Sequence, residues 1–228
     1  MPTRASRFVL GLGLTSFLSL AGCVDDTVGD GESGADDHDH DHDHNEETEI
    51  ITTVTLTFTP QGGGSPVVAA FNDPDGDGGV SGESDPISLT TGTSYDLAIA
   101  FTNELVDPPE EITAEIEEEA EQHQIFVYGE GVSGPAAGDD PTALVVHAYA
   151  DLESSYGPNE VGEDLPVGLL GTVMAANAGT GSLQVRLQHL PELNGSPQKV
   201  PGLAESLAAG ELLPGEVDAS VSFMLTVQ

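Results

Sequence analysis

The sequence predicts an all-β protein, an immunoglobulin-like antiparallel β-sandwich of about eight strands with one short acidic helix, preceded by a disordered tether. Apolar residues alternate with polar ones over many short segments, most clearly at 50–59 and 217–227. Turns rich in glycine and proline separate these segments at hairpin spacings, which favours antiparallel pairing. One stretch alone has a strong helical pattern.

The alternating segments occur throughout residues 50–228, which we predict to form a single β-sandwich domain. A surface insertion is expected at 151–164, and the proline- and glycine-containing stretch 191–215 leaves room for a helical turn or two at 203–209. His147 is expected to be exposed on its strand. The predicted strands are 50–59, 67–71, 87–90, 95–101, 124–128, 143–150, 169–175, 183–187 and 217–227.

The helix is predicted to begin at Asp107, whose side chain can cap free amide groups, with Pro108 at the first helical position. Its apolar face carries Ile112, Ile116 and Ala120, and glutamates occupy most of the remaining surface. Glutamates in the last turn oppose the helix dipole. A cation near the C-terminal end of this helix would therefore be stabilising.

The beginning of the chain has the organisation of a secretory signal peptide. Two arginines precede an apolar run at 8–20 that is too short to span a bilayer as a stable helix. The tetrapeptide Leu-Ala-Gly-Cys at 20–23 resembles a bacterial lipobox, in which the cysteine is lipidated and becomes the first mature residue. We therefore predict 1–22 as the signal peptide, Cys23 as a lipidation site, and a membrane as a partner through the lipid anchor.

The charge of the chain restricts its partners. It has 40 acidic residues against 4 lysines and arginines, a formal net charge of −36 at pH 7. Such a charge repels nucleic acid and attracts divalent cations, although solubility by itself accounts for most of the carboxylates. The sequence has no serine nucleophile elbow, no phosphate-binding glycine loop and no HExxH pattern, so an enzyme is not expected.

Segment 23–49 is predicted to be a disordered tether because it contains almost no apolar residues. Within it aspartates alternate with four histidines, which are His38, His40, His42 and His44. Imidazole and carboxylate groups both suit zinc and copper, and a flexible strand can wrap several of them around one ion. The alternative is a hydrophilic spacer whose histidines arose by repeat expansion.

A second candidate site is an acidic loop that begins like a calcium loop. Asp73, Asp75 and Asp77 occupy positions one, three and five, and a glycine follows at position six. Position twelve is Ser84, where an EF-hand requires a bidentate glutamate, so an EF-hand is excluded. A hairpin-type calcium site and an Asp-Gly turn without an ion are both compatible with the sequence.

A third candidate site combines Glu119, His123 and His189. Glu119 and His123 are four residues apart at the end of the predicted helix, and His189 lies on the inward face of its strand. Two imidazoles and one carboxylate would make an open zinc or copper site. In the alternative interpretation His123 caps the helix carbonyls and His189 is a boundary histidine with a structural role.

Residues 50–228 also resemble an uncharacterised family of small bacterial surface lipoproteins, some of whose members are labelled periplasmic-binding-like. The resemblance implies a signal peptide, a lipobox, an acidic linker and one β domain, and it implies no activity. The insertion at 151–164 and the His-Asp tract depart from the family pattern. The matching motifs are Thr55–Pro60, Gly62–Val67, Asp73–Gly78, Asn103–Leu105, Glu110–Thr113, Glu117–Glu119, His123–Gln124 and Leu183–His189.

Together these features predict a non-enzymatic lipoprotein of the bacterial cell envelope, held at the outer membrane or the cell surface. We expect it to bind divalent metal through the His-Asp tract, with the domain as a further candidate site. One alternative is a structural or adhesive surface module without a ligand. A third hypothesis is a metal-dependent hydrolase with its metal at Glu119, His123 and His189.

Overall fold

The computed structural model describes residues 50–76, 82–160 and 162–228, all of which lie in one compact unit, Asp43–Gln228. These residues form an all-β sandwich of two sheets, which confirms the predicted fold class. The strands are β1 (Thr53–Pro60), β2 (Val67–Asn72), β3 (Glu83–Ser84), β4 (Ile87–Leu89), β5 (Ser94–Thr102), β6 (His123–Tyr128), β7 (Val132–Ser133), β8 (Val145–Tyr149), β9 (Leu170–Ala175), β10 (Gly179–His189) and β11 (Glu216–Val227).

Two helices and a single 3-10 turn complete the described secondary structure. They are α1 (Ile112–Glu118), the 3-10 turn Glu153–Ser155, and α2 (Leu203–Ala208). The predicted helical turn at 203–209 is confirmed by α2. Across the residues the structure describes, no helix is long and apolar enough to cross a membrane.

The larger sheet has the strand order β3-β2-β1-β5-β9-β8-β7, and the smaller sheet has the order β4-β11-β10-β6. Most neighbouring strands are antiparallel, as predicted. Two pairs are parallel instead, β4 with β11 and β7 with β8. Both exceptions involve edge strands of two or three residues, which are added to the sheet by loops and not by hairpins.

The core lies between the two sheets and follows the predicted alternation. Val54, Leu56 and Phe58 of β1 face Leu183, Val185 and Leu187 of β10 across one continuous cluster of buried side chains. Each such side chain stabilises the fold by about 1.5–3 kcal/mol through its removal from water. Alternation along the predicted strand 50–59 placed Ile50 on the same inward face as Val54. Ile50 is exposed, because β1 begins three residues later.

Helix α1 begins later than predicted, at Ile112, and Asp107 does not cap it. The backbone N–H of Glu110 donates to the carbonyl oxygen of Asn103 over 3.0 Å, and the reverse pair has the same length. Because of this pairing, the main chain of 103–110 forms a turn at the end of β5, and the helix begins only after this turn. The predicted apolar face is confirmed, since Ile112, Ile116 and Ala120 are all buried.

The predicted surface insertion at 151–164 is tied into the protein by a buried carboxylate. Asp151 is 3% exposed and accepts hydrogen bonds from the backbone N–H groups of Gly168 (2.8 Å) and Leu170 (2.9 Å). It also accepts one from the hydroxyl group of Tyr156 (2.7 Å). Most described residues of the insertion are exposed, as expected for a surface insertion, whereas Asp151 and Glu153 are buried and find partners inside the fold.

His147 is buried, and the prediction that it is exposed was wrong. It lies on the face of β8 that carries Val145, and this face points toward the core. A Cβ atom at Gly171 would lie 2.8 Å from the His147 Nε2 atom, so the ring needs a glycine on the neighbouring strand. Neither ring nitrogen has a hydrogen-bond partner within the described ranges, and burial lowers the pKa of His147 to about 4.

We predict that His147 makes the fold less stable as the pH falls from 6.5 to 4. Its imidazole takes up a proton in the unfolded chain below the ordinary pKa of 6.5, whereas the folded pKa is about 4. Stability is therefore complete above pH 6.5 and is lost on acidification, by roughly 3 kcal/mol at pH 4. Urea unfolding of the wild type and of His147→Leu at pH 7 and pH 4 measures this difference.

The difference between the two proteins isolates His147, because the other titrating groups are common to both. In His147→Leu the change in unfolding free energy between pH 7 and pH 4 should shrink by that amount. An equal pH dependence in the two proteins would contradict the assignment.

Candidate metal centre

Two histidines face each other at one end of the smaller sheet, on its core side. His123 is the first residue of β6 and pairs with His189, the last residue of β10. Each lies two residues from a core side chain, Ile125 or Leu187, and alternation along a strand therefore turns both imidazoles inward. His123 is fully buried and His189 is half-buried.

The two imidazole rings are stacked. Their centroids are 4.7 Å apart and their planes differ by 10°. Residues directly opposite in an antiparallel pair have Cβ atoms about 4.5–5.5 Å apart, so the strand register by itself brings the rings together.

Glu119 joins this pair from the end of α1. It is the C-terminal cap residue of the helix, and its carbonyl oxygen lies 3.2 Å from the His123 Nδ1 atom. A carbonyl oxygen can only accept, so Nδ1 carries the proton and Nε2 carries the lone pair. The predicted capping role of His123 is therefore confirmed, and the cap fixes the tautomer that metal-binding histidines use.

The side chains of Glu119, His123 and His189 form a group that can hold a metal ion. Their ligand atoms all lie within 4.8 Å of one another, and this is the one such group within the described parts of the chain. Zinc bonds of about 2.0–2.1 Å to nitrogen place tetrahedral ligands about 3.3 Å apart, so binding would contract the group. The structure thus brings together the three residues that the sequence proposed for this site.

Burial keeps both imidazoles in the form that binds metal. Removal from water, with a smaller effect of His189, lowers the pKa of His123 to about 3. Burial also lowers the pKa of His189, and Glu216 opposes this shift. Both rings are therefore uncharged at neutral pH, and no proton has to leave before an ion can bind.

Asp218 lies close to this group, and the sequence pattern did not identify it as a site residue. Its Oδ2 atom is 3.9 Å from the His123 Nε2 atom, and its side chain is 2% exposed. Burial, with a contribution from Glu216, raises the pKa of Asp218 to about 7. The contact with His123 is not an ion pair, because the imidazole is uncharged at neutral pH.

A β-bulge explains why the alternation pattern missed Asp218. Leu187 pairs with Ala219 and Gln188 pairs with Val217, so Asp218 is an extra residue in β11. Strict alternation placed Val217 and Ala219 inward and Asp218 outward. The bulge shifts the phase, and Val217 is 44% exposed while Asp218 is turned inward. The single signal in the sequence was a carboxylate within the predicted strand 217–227, whose other residues are uncharged.

A buried lysine supplies the cation that the helix end was predicted to need. Lys199 Nζ donates to the carbonyl oxygen of Ala120 over 2.6 Å and lies 2.8 Å from Glu153 Oε1. Both side chains of this ion pair are almost fully buried. Lys199 therefore ties the stretch 191–215 and the insertion 151–164 to the end of α1, next to Glu119.

The other predicted sites fall partly or wholly outside the described residues. In the acidic loop Asp73 is buried and Asp75 is exposed, whereas Asp77 lies outside the described residues. Asp73 and Asp75 do not belong to the metal-ligand group found in the described parts of the chain. Cys23 and the tract histidines His38, His40, His42 and His44 also lie outside the described residues.

Comparison with family models, with curated proteins and with solved structures found no match to this chain. The chemistry assigned to Glu119, His123 and His189 therefore rests on their geometry alone.

We predict that Lys199→Met destabilises the protein by about 3–5 kcal/mol, because it leaves the Glu153 carboxylate buried without its cation. The double variant Lys199→Met/Glu153→Gln removes both charges and should recover part of this loss. Urea unfolding at pH 7 of the wild type, both single variants and the double variant measures the four free energies of this cycle. Strictly additive losses in the double variant would show that the two side chains are not coupled.

Proposed function

We propose that this protein is a divalent-metal-binding module in which Glu119, His123 and His189 hold the ion. The observation that supports the proposal is the convergence of two uncharged imidazoles and one carboxylate within 4.8 Å. The hydrogen bond from His123 Nδ1 to the Glu119 carbonyl adds a fixed orientation, which is the usual support of a metal-binding histidine.

The donor atoms favour zinc or copper(II) over the other common ions. Imidazole nitrogen suits zinc, copper and nickel, whereas calcium and magnesium prefer sites made entirely of oxygen. Copper(I) prefers sulfur, and the group contains none. The net charge of −36 also raises the local concentration of any divalent cation around the protein.

We propose a binding role and not a catalytic one. The second candidate is a metal-dependent hydrolase, and the observation that favours it is the number of ligands. Three protein ligands with an open fourth position are typical of catalytic zinc sites. Binding without catalysis requires that the fourth position be filled, and the Oδ2 atom of Asp218 lies 3.9 Å from His123 Nε2.

The sequence of the N-terminal region supports a location at the bacterial cell envelope. A lipid on Cys23 would hold the domain at a membrane through segment 23–49, and the His-Asp tract would add a second, weaker metal-binding element.

Zinc calorimetry with matched variants tests the domain site. In a chain with His38, His40, His42 and His44 replaced by Asn, we expect one remaining zinc site. Glu119→Gln in that background should raise the zinc Kd more than about 100-fold, since losing a ligand costs more than losing its support. The control is Glu118→Gln, which removes the same charge from the exposed neighbouring residue and should leave the Kd within about 2-fold.

Parallel titrations with copper(II) and calcium decide the class of ion. Calcium should give no saturable heat in the tract variant. Absence of zinc and copper binding in the tract variant would contradict the proposal and favour a structural or adhesive module.

Lipidation is tested separately. Mass spectrometry of protein recovered from a bacterial membrane fraction should show a mature chain that begins at Cys23 and carries acyl chains. Cys23→Ser should release the protein into the soluble fraction, because the anchor supplies the membrane affinity. An unmodified Cys23 thiol in membrane-bound protein would contradict the lipobox assignment.

A further inference from the structure

The β-bulge in β11 places a carboxylate beside the metal-ligand group. Asp218 is the extra residue of the bulge, and without the bulge its side chain would lie on the opposite face of the sheet. Bulges redirect side chains in this way next to functional sites. The irregularity in the longest described strand therefore has a specific consequence at His123.

One oxygen atom of the Asp218 carboxylate is buried and lacks a hydrogen-bond partner among the described residues. This atom is Oδ2, and the Asp218 side chain as a whole is 2% exposed. A buried carboxylate normally costs several kcal/mol unless it is paired, hydrogen-bonded or bound to a metal. The His189 Nε2 atom, in the same group, is likewise buried and has no partner among described residues.

The contact between Asp218 and His123 has the geometry of two ligands of one ion. The distance of 3.9 Å from Oδ2 to Nε2 is too long for a hydrogen bond, so a shared proton does not join these atoms. Both atoms present lone pairs, since Nδ1 of His123 carries the ring proton. Ligands of one tetrahedral zinc ion lie about 3.3 Å apart. Asp218 lies outside the group of three whose ligand atoms are within 4.8 Å of one another, so binding requires its carboxylate to move toward Glu119 and His189.

The charges also balance. Glu119 and Asp218 contribute two negative charges, and two uncharged imidazoles contribute none, so a divalent cation makes the centre neutral. The nearby Lys199 is already paired with Glu153 and does not alter this sum. A net charge in a buried site is costly, and the four residues therefore favour a divalent ion over a monovalent or trivalent one.

We propose that Asp218 is the fourth ligand of a closed Glu119–His123–His189–Asp218 centre that takes a divalent ion such as zinc. The inference rests on the proposed function of the first three residues. It deepens that function, because a filled fourth position leaves no place for the metal-bound water that a hydrolase needs. It also assigns a purpose to the bulge.

The test uses the full chain in which Cys23→Ser and the replacement of His38, His40, His42 and His44 by Asn remove the competing N-terminal ligands. Asp218→Asn in this background keeps the shape of the side chain and removes its charge. Glu211→Gln is the matched control, since it removes the same charge from an exposed residue that lies outside the metal-ligand group. The probes are zinc in calorimetry and cobalt(II) in visible absorption.

We expect Asp218→Asn to raise the zinc Kd more than about 100-fold and Glu211→Gln to raise it less than about 3-fold. Cobalt(II) should give the intense visible bands of four-coordinate geometry in the background chain and in Glu211→Gln, and the position and intensity of these bands should change in Asp218→Asn. The metal-free Asp218→Asn protein should melt at a higher temperature than the metal-free background, because a buried carboxylate is gone.

The outcomes separate the two proposals. Unchanged zinc affinity and cobalt(II) spectrum in Asp218→Asn would overturn the fourth ligand and leave the three-residue site intact. A lower melting temperature of metal-free Asp218→Asn would also overturn it, because Asp218 would then be stabilising the fold without an ion. No zinc binding in the background chain would overturn both proposals.

Discussion

The C-terminal end of α1 lies inside the protein, and its carbonyl groups must find donors there. His123 Nδ1 serves the Glu119 carbonyl and Lys199 Nζ serves the Ala120 carbonyl. The first donor belongs to a strand of the smaller sheet, and the second brings in a buried partner from the insertion, Glu153. Satisfying one helix terminus therefore fixes the helix, β6 and two long connections in one place, and the same hydrogen bond orients the imidazole of the metal centre.

The polar groups of the candidate metal centre near this helix end do not contribute to the stability of the fold. A buried histidine, a half-buried histidine and a buried carboxylate add no hydrophobic stabilisation, and each of these groups resists carrying charge away from water. The surrounding core compensates, since side chains such as Ile125 and Leu187 flank the polar group on both strands. Functional sites are commonly places where a fold keeps groups that do not contribute to its own stability.

The sequence predicted the fold class and the three residues of the candidate metal centre for simple reasons. Period-two alternation identified the long strands, and four-residue spacing placed Glu119 with His123. The alternation of inward and outward side chains then placed His189 on the core-facing side of β10. Nothing in the sequence indicated that β10 would pair with β6. What failed depended on tertiary context, because the bulge at Asp218 and the burial of His147 follow from neighbouring strands. The contacts of Lys199 could not be predicted for the same reason, because its partners are distant from it in the sequence.

The bulge has a further consequence for when the centre can exist during biosynthesis and folding. Glu119 and His123 are made early, whereas Asp218 lies in β11, which follows every other described strand. β11 pairs with β10, so the proposed fourth ligand is in place only when these two strands of the smaller sheet have paired. An ion held by all four residues would therefore be retained only by molecules in which β11 has docked.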